Sequence, residues 1–294
     1  SDAPVEACPV GGCGDPFDIV QVAAGASSTC ALRREGTARC WGNNRNGQLG
    51  NGRAGTTELV LVTVVTSNDD TRPLAGVAQL ACGEAFCCAA LRDSTARCWG
   101  DNAFGQLGNA SVTPSPAPVV VGDPVEAGMP FRGVVEVAAG ANFACARRTD
   151  GTVWCWGNNA NGHLGTGAMD TSPLRSRPAR VVAGGGSSDP LADTVQLAAQ
   201  AEHTCAVMRL GALRCWGRNH FGQLGHDASA YLYAADPLAV GRVGEVVEAR
   251  PGATHTCARL RDGSVRCWGN NRLGALGDGT TANRSTPADV LVSA

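Results

Sequence analysis

Cysteine is the residue whose number and spacing in this chain could do chemistry. Ten of the fourteen cysteines form five pairs, and nine residues separate the two members of each pair. Paired cysteines either ligate a metal or form a disulfide. Zinc sites favour only about two to four residues between paired ligands, so the spacing argues against a metal. We expect disulfides here, with no metal and no cofactor.

Each cysteine pair belongs to a longer repeat, in which Trp-Gly follows the second cysteine at once. The first cysteines of successive copies are 58, 57, 60 and 52 residues apart. A unit this short cannot bury an apolar face alone and must stack on its neighbours. The period fits a four-stranded propeller blade, so we predict an all-β propeller of five blades. The copies begin at Thr29, Cys87, Ala144, Thr204 and Thr256.

A hairpin turn in each copy predicts which cysteines face each other. In the third copy, Asp150-Gly151 indicates a loop with glycine in the left-handed conformation, which places Cys145 opposite Cys155. Directly opposed residues on antiparallel strands lie within reach of a disulfide. The turn glycines of the other copies are Gly36, Gly211 and Gly263, whereas the second copy has Ser94. The predicted pairs are Cys30 with Cys40, Cys88 with Cys98, Cys145 with Cys155, Cys205 with Cys215, and Cys257 with Cys267.

Four cysteines lie outside this pattern. The simplest pairing joins Cys8 to Cys13 and Cys82 to Cys87, although an exchange of Cys87 for Cys88 stays open. Disulfides persist in oxidising compartments, so we expect an extracellular, periplasmic or cell-surface protein.

Each copy reads as four short strands, beginning with an apolar run such as residues 134–140 and ending with a Pro-and-Val strand, whose place residues 57–65 take after the first copy. No Pro-and-Val strand precedes the first copy, while one follows the last. We therefore predict that the C-terminal segment from Pro287 to Val292 completes the first blade and closes the ring, with one disulfide per blade. The predicted organisation is an N-terminal arm (1–17) and one propeller domain (18–294). Its repeat units are 18–65, 75–121, 133–182, 193–240 and 243–292.

Composition excludes several classes of function. The chain has 24 basic residues, all arginine, against 26 acidic ones, for a net charge of -2. Without lysine, Schiff-base chemistry is excluded. The balanced charge gives no overall attraction to nucleic acid or to an anionic membrane. No run of about 20 apolar residues indicates a membrane span. We expect no nucleic-acid partner, no membrane insertion and a monomer.

The motif Trp-Gly-x-Asn-x-x-Gly-Gln-Leu-Gly, preceded by an apolar strand and a hairpin, resembles the repeat of the regulator of chromosome condensation family of β-propellers. The resemblance covers about residues 18 to 292, and the paired cysteines are similar to those of extracellular bacterial members. Members usually have seven blades. The family implies several activities: nucleotide exchange on a small GTPase, ultraviolet reception, and inhibition of β-lactamase by secreted bacterial members. Reception would need tryptophans at positions that here hold Ala26, Glu84, Ala141 and Ala253.

Aromatic departures from the repeat are candidate binding residues. Phe104 and Phe221 lie in the turn after Trp-Gly, and Tyr231 and Tyr233 are the only tyrosines of the chain. Aromatic side chains in loops are plausible anchors for a partner. The alternative is that they cover the core of their own loop.

A second candidate is a set of arginines at one repeat position. They could form a partial ring about the axis that binds an anion or a partner. The alternative is that they are solvated and pair with local carboxylates. The four residues are Arg39, Arg97, Arg214 and Arg266.

No catalytic motif occurs, such as a nucleophile elbow, a zinc-protease helix or a phosphate loop. We expect a non-catalytic module that binds another macromolecule, most simply a protein, through its loops, one version being an inhibitor of an extracellular enzyme. The alternatives are a hydrolase or lyase that uses the central funnel and, by family analogy, a guanine-nucleotide exchange factor.

Overall fold

The computed structural model describes residues 18–168 and 174–291, which form antiparallel β-sheets. Five sheets have four strands and two have two. Each four-stranded sheet is one blade, and its strands follow one another in the chain. Among the described residues, no helix has the length and hydropathy needed to cross a bilayer.

The strands of blade 1 are β1 (Ile19–Ala24), β2 (Ser28–Arg33), β3 (Ala38–Asn43) and β4 (Thr57–Thr63), followed by a hairpin of β5 (Val65–Ser67) and β6 (Asp70–Pro73). Blade 2 contains β7 (Val77–Cys82), β8 (Phe86–Leu91), β9 (Ala96–Gly100) and β10 (Ser115–Val120). Blade 3 contains β11 (Val134–Ala139), β12 (Phe143–Arg148), β13 (Val153–Asn158) and β14 (Leu174–Arg180), followed by a hairpin of β15 (Val182–Gly184) and β16 (Ser187–Pro190). Blade 4 contains β17 (Thr194–Gln200), β18 (His203–Met208), β19 (Leu213–Arg218) and β20 (Tyr233–Ala239). Blade 5 contains β21 (Val246–Pro251), β22 (His255–Leu260), β23 (Val265–Gly269) and β24 (Arg284–Asp289).

The two short hairpins bring the number of sheets to seven, which the sequence did not predict. The first strands of successive blades contact one another and lie innermost, while the fourth strand of each blade is the outer edge.

The predicted cysteine register is confirmed. Cys145 lies directly opposite Cys155, and the other four repeat pairs have the same register. Cys88 therefore bonds Cys98, and Cys82 bonds Cys87. Blade 2 thus carries two disulfides, so the prediction of one per blade is wrong there. The predicted bond between Cys8 and Cys13 lies outside the described residues. The six described disulfides have S–S distances of 2.06 to 2.12 Å.

The apolar core lies between blades. Each of four clusters of buried residues joins the second and third strands of one blade to the first strands of the next, and the five blades have four such junctions. A tryptophan marks each junction: the indole Nε1 of Trp156, for example, donates to the carbonyl oxygen of Gln106 in the preceding blade at 2.9 Å. Each blade therefore depends on its neighbour for burial.

The predicted closure by the C-terminal strand is wrong. β24 pairs with β23 in its own blade, and β4 is already the fourth strand of blade 1. Residues 57–65 were correctly assigned to the last strand of the first copy, and β4 pairs with β3 as in the other blades. The error was to assume that the ring closes, because blade 1 already has four strands without the C-terminal segment.

Blades 1 and 5 do not form a fifth junction within the described chain, so the blades make an open arc. Val22 of blade 1 is 60% exposed, whereas its counterpart Leu80 of blade 2 is 2% exposed. At the other end, Val265 of blade 5 is 37% exposed, and its counterpart Val153 is fully buried. Each end of the arc presents half of a junction.

Candidate protein-binding surface

One buried asparagine per blade builds the turn between the third and fourth strands. In blade 4, the side-chain oxygen of Asn219 accepts the N–H of Leu224 at 2.9 Å, and its amide donates to the carbonyls of His226 and Tyr231 at 3.1 and 2.7 Å. The same asparagine thus fixes both the tight turn and the loop after it. Its counterparts in the other blades are Asn44, Asn102, Asn159 and Asn271, all fully buried.

The loop held by Asn219 carries a cluster of aromatic rings. Tyr231 is 46% exposed and packs edge-on against His226, with ring centroids 5.8 Å apart. Tyr233 is half-buried and packs edge-on against His220 at 4.9 Å. Leu232, between the two tyrosines, is exposed. We call this surface the blade 4 patch and define it as His220, Phe221, His226, Tyr231, Leu232 and Tyr233.

Charged groups hold the base of the blade 4 patch. Arg218 forms an ion pair with Glu202 and donates a hydrogen bond to Nδ1 of His220. The guanidinium of Arg272, from the matching turn of blade 5, lies 5.9 Å from the ring centre of Phe221. These contacts orient the rings before any partner binds, which lowers the entropy cost of binding.

The structure places three of the four predicted aromatic residues in blade 4. Tyr231 and Tyr233 lie where one loop meets β20 and pack on His226 and His220, Phe221 is the chain neighbour of His220, and Phe104 lies half-buried in the turn of blade 2. The sequence prediction missed His220, His226 and Leu232. The sequence did carry a signal for two of them. His220 stands where the other copies have arginine or alanine, and Leu232 lies between the two tyrosines.

The four predicted arginines do not line the axis. All lie half-buried on the third strand of their blades, away from the innermost strands. Arg214 donates to the carbonyl of Ala183 at 2.9 Å, and Arg266 pairs with Asp289 at 2.7 Å. These contacts tie the arginines to nearby connections and outer strands. Arg39 and Arg97 occupy the same position in blades 1 and 2.

The central channel is lined by the innermost strands, and its polar side chains serve as links between blades. The amide of Gln21 donates to the carbonyl of Leu80 at 2.8 Å, and Gln79 and Gln196 make the same bond to the next blade. The carboxylate of Glu136 pairs with Arg147 at 2.7 Å. This carboxylate, which belongs to the described channel wall, is therefore already engaged in an ion pair.

Two buried histidines lie at blade junctions. Nε2 of His203 is 2.8 Å from the hydroxyl of Thr256, which itself donates to the carbonyl of Gln223, so His203 donates through Nε2. The ring of His163 stacks on Phe143 at 5.1 Å. Burial lowers the pKa of His203 to about 3 and that of His163 to about 4, so both are neutral at pH 7.

One set of potential metal ligands occurs among the described residues, namely the sulfurs of Cys30, Cys82 and Cys87, which lie within 4.8 Å of one another. All three are engaged in disulfides, and a metal would need thiolates.

Comparison with known proteins supports the resemblance inferred from the repeat. A family model described as the RCC1-like domain matches residues 3–293. The ultraviolet-B receptor UVR8 of Arabidopsis thaliana is 30% identical over 282 residues, which are 94% of this chain and 59% of the receptor. The human E3 ubiquitin-protein ligase HERC2 is 27% identical over 264 residues, which are 89% of this chain and 5% of the ligase. The chain thus spans less than two thirds of these relatives.

Solved structures share the fold at lower identity. Human WBSCR16 matches with a TM-score of 0.77 and 22% identity, over 95% of this chain and 70% of that one. Yeast RCC1 (Prp20), in a structure with Kap60 bound, matches with a TM-score of 0.75 and 21% identity, over 94% of this chain and 61% of that one.

Proposed function

The chain belongs to the RCC1-like domain family, and from this premise we propose that it is a non-catalytic module that binds another protein through the blade 4 patch. The observation that carries the proposal is the exposed pair Tyr231 and Leu232 next to the half-buried Tyr233, with both tyrosine rings held by histidines. Tyrosine supplies a large, rigid and amphipathic contact area at low entropy cost, which is why it is enriched at interfaces.

The channel favours binding over catalysis. A hydrolase or lyase in the central funnel would need an acid or base free to exchange a proton with its substrate. The Gln21, Gln79 and Gln196 amides link blades, and Glu136 is ion-paired, so these side chains serve the scaffold. Glu84 is an exposed carboxylate at one mouth of the channel, but the other described residues that line this mouth include no second acid or base to work with it.

The activities named for the relatives are not part of the proposal. At the channel mouth, where the family resemblance would require tryptophans for ultraviolet reception, this chain has Ala26, Glu84 and Ala141. Four of the five repeat tryptophans form bonds between blades, as does Trp216, whose Nε1 donates to the carbonyl of His163 at 2.9 Å. Exchange-factor activity would place the protein in a reducing compartment, which disfavours six disulfides.

The disulfides support a location outside the cytosol. Cys145 and Cys155 are fully buried and bonded, and the same holds for most of their counterparts. We therefore propose an extracellular, periplasmic or cell-surface setting, in which an enzyme of that compartment is one concrete class of partner. Thiol trapping of the protein from its native source, followed by peptide mapping without reductant, tests the location. Alkylated Cys145 and Cys155 would refute it.

The binding proposal is tested by photo-crosslinking. A photoreactive residue at position 232 should trap a discrete partner in the native extracellular fraction, and the Tyr231→Ala variant should abolish the crosslink. Both positions are exposed, so the variants should fold as the parent does. The matched control places the photoreactive residue at position 210, an exposed leucine on the hairpin turn of the same blade.

Equal crosslinking from positions 210 and 232 would contradict the proposal, as would a crosslink that Tyr231→Ala leaves unchanged. Thermal unfolding of each variant shows whether a lost crosslink reflects a lost fold.

A further inference from the structure

The outer strand of blade 1 differs from the other four outer strands. β4 pairs with β3 on one side only, so its other edge is free. Leu59 is 90% exposed and Val60 is also exposed, which makes the edge apolar. A free apolar edge presents unpaired backbone groups to any extended segment that can pair with it.

A proline blocks the corresponding edge in the other blades. The position compared here is the residue just before the one that lies opposite the second repeat cysteine. In blade 1, Val62 lies opposite Cys40, so the position is that of Leu61. The other four blades have Pro118, Pro178, Pro237 and Pro287. Proline has no N–H to donate, so it disables pairing at an edge.

Leu61 lies in the register shift between Glu58 and Val62, and the N–H of Val64 beyond it donates to the carbonyl of Ala38 on β3 at 3.0 Å. The other four blades pair with their third strand although a proline, which has no N–H, takes the position of Leu61. We therefore infer that the N–H of Leu61 does not bond β3 and is available at the free edge. Blade 1 alone therefore keeps this donor.

The connections between blades also cover the other outer strands. The hairpin β5–β6 packs against β10, and β15–β16 packs against β20, where the N–H of Gly185 donates to Asp236 at 2.9 Å. On β14, Arg177 donates to the carbonyl of Asp123 at 3.0 Å. In blade 5, Asp289 on β24 pairs with Arg266, which also donates to the carbonyl of Arg242 at 2.7 Å. No preceding connection among the described residues covers β4.

We propose that β4 is a second docking surface, separate from the blade 4 patch, which binds an extended apolar segment of a partner protein as a fifth strand of blade 1. Main-chain hydrogen bonds supply affinity in this mode, and alternate side chains supply specificity. Glu58 is the only charged residue of β4. A partner segment with a basic residue near this carboxylate gains an attraction that a second copy of β4 does not offer, so the charge favours a partner segment with basic ends.

The probe is a short peptide of alternating valine and threonine, with an arginine at each end and a fluorophore. We expect it to bind the full chain with a dissociation constant that Leu61→Pro raises about tenfold or more, the equivalent of one net hydrogen bond. The same peptide with alternate amides methylated should not bind. A peptide with glutamates at both ends should have a higher dissociation constant than the arginine peptide. Added salt should reduce the difference between the two constants.

The matched control is Pro178→Leu, which restores the donor on a strand that the preceding connection contacts. This variant should bind one peptide, as the parent does. Leu61→Pro has the residue that four other blades carry, so it should keep its unfolding temperature within a few degrees.

Three results would overturn the proposal. Binding of the methylated peptide, or binding that Leu61→Pro leaves unchanged, would exclude strand addition. Concentration-dependent dimerisation that Leu61→Pro abolishes would identify a second copy as the occupant. Failure of the full chain to bind, with binding recovered on deletion of residues 1–17, would identify those residues as the occupant.

Discussion

The indole Nε1 of Trp99 donates to the carbonyl oxygen of Gln48 at 3.0 Å, across the junction between blades 1 and 2. Trp156, Trp216 and Trp268 make the same bond to the blade before them. Trp41 occupies this position in blade 1, is half-buried and has no described blade before it. The same residue type is therefore a link in four blades and an open end in the first.

This difference predicts unequal effects of one substitution. Trp99→Phe removes a buried hydrogen bond and leaves the Gln48 carbonyl unpaired, so it should lower the free energy of unfolding by about 1 to 3 kcal/mol. Trp41→Phe removes the same atoms without breaking such a bond and should cost less. Urea unfolding of both variants measures the difference. Equal losses would show that the bond across the junction contributes nothing.

Ser94 predicts a stabilising substitution. It has a φ of 62°, in the left-handed region where the hairpin turns of the other blades have glycine. Ser94→Gly should raise the free energy of unfolding by about 0.5 to 1 kcal/mol, because relief of backbone strain outweighs the added entropy of the unfolded chain. Gly263→Ser is the reverse control, since Gly263 has a φ of 88° and open space around its Cβ position. A loss of stability in Ser94→Gly would contradict the prediction.

The two buried histidines predict a loss of stability in acid. The pKa is lowered to about 3 for His203 and about 4 for His163, mainly by burial, from an unfolded value of about 6.5. Since the unfolded chain binds these protons first, the stability they confer is complete above about pH 6.5. It falls towards pH 4 by up to about 1.4 kcal/mol per pH unit for each histidine.

Other blades supply the replacements that test this pH dependence. Phe143 occupies the position of His203, and Gln106 occupies the position of His163. A variant with His203→Phe and His163→Gln should therefore fold, and its unfolding free energy should vary less between pH 6.5 and 4. Urea unfolding at each pH measures the slope. A slope equal to that of the parent would assign the acid sensitivity to other groups.

Unequal burial of the disulfides predicts the order of their reduction. Cys257 is half-buried at the open end of blade 5, whereas its counterparts in the other blades are fully buried. Attack on a disulfide requires access to a sulfur, so of the six described disulfides limited dithiothreitol should reduce the bond between Cys257 and Cys267 first. Alkylation and peptide mapping over time give the order. Earlier labelling of Cys145 would contradict it.

Local patterns in the sequence predicted the blades but not how they assemble. Cys145 and Cys155 lie within one hairpin, so turn geometry alone determined their pairing. Closure depends on distant surfaces that no pattern within one repeat describes, so the C-terminal segment was wrongly assigned to blade 1. The blade 4 patch was predicted in part, since the tyrosines stood out by rarity. The contact between Arg272 and Phe221 crosses from blade 5 to blade 4, and no spacing within one repeat predicts it.

Because every apolar cluster is shared between two blades, no blade has a core of its own. The middle blade has neighbours on both sides, whereas the first and fifth each have one. Resistance to amide hydrogen exchange should therefore be greatest in β11 and β12 and fall towards both ends, as in a stack that frays from its outermost members. Blades 1 and 5, at the two open ends of the arc, are then the most pliable parts of the described chain.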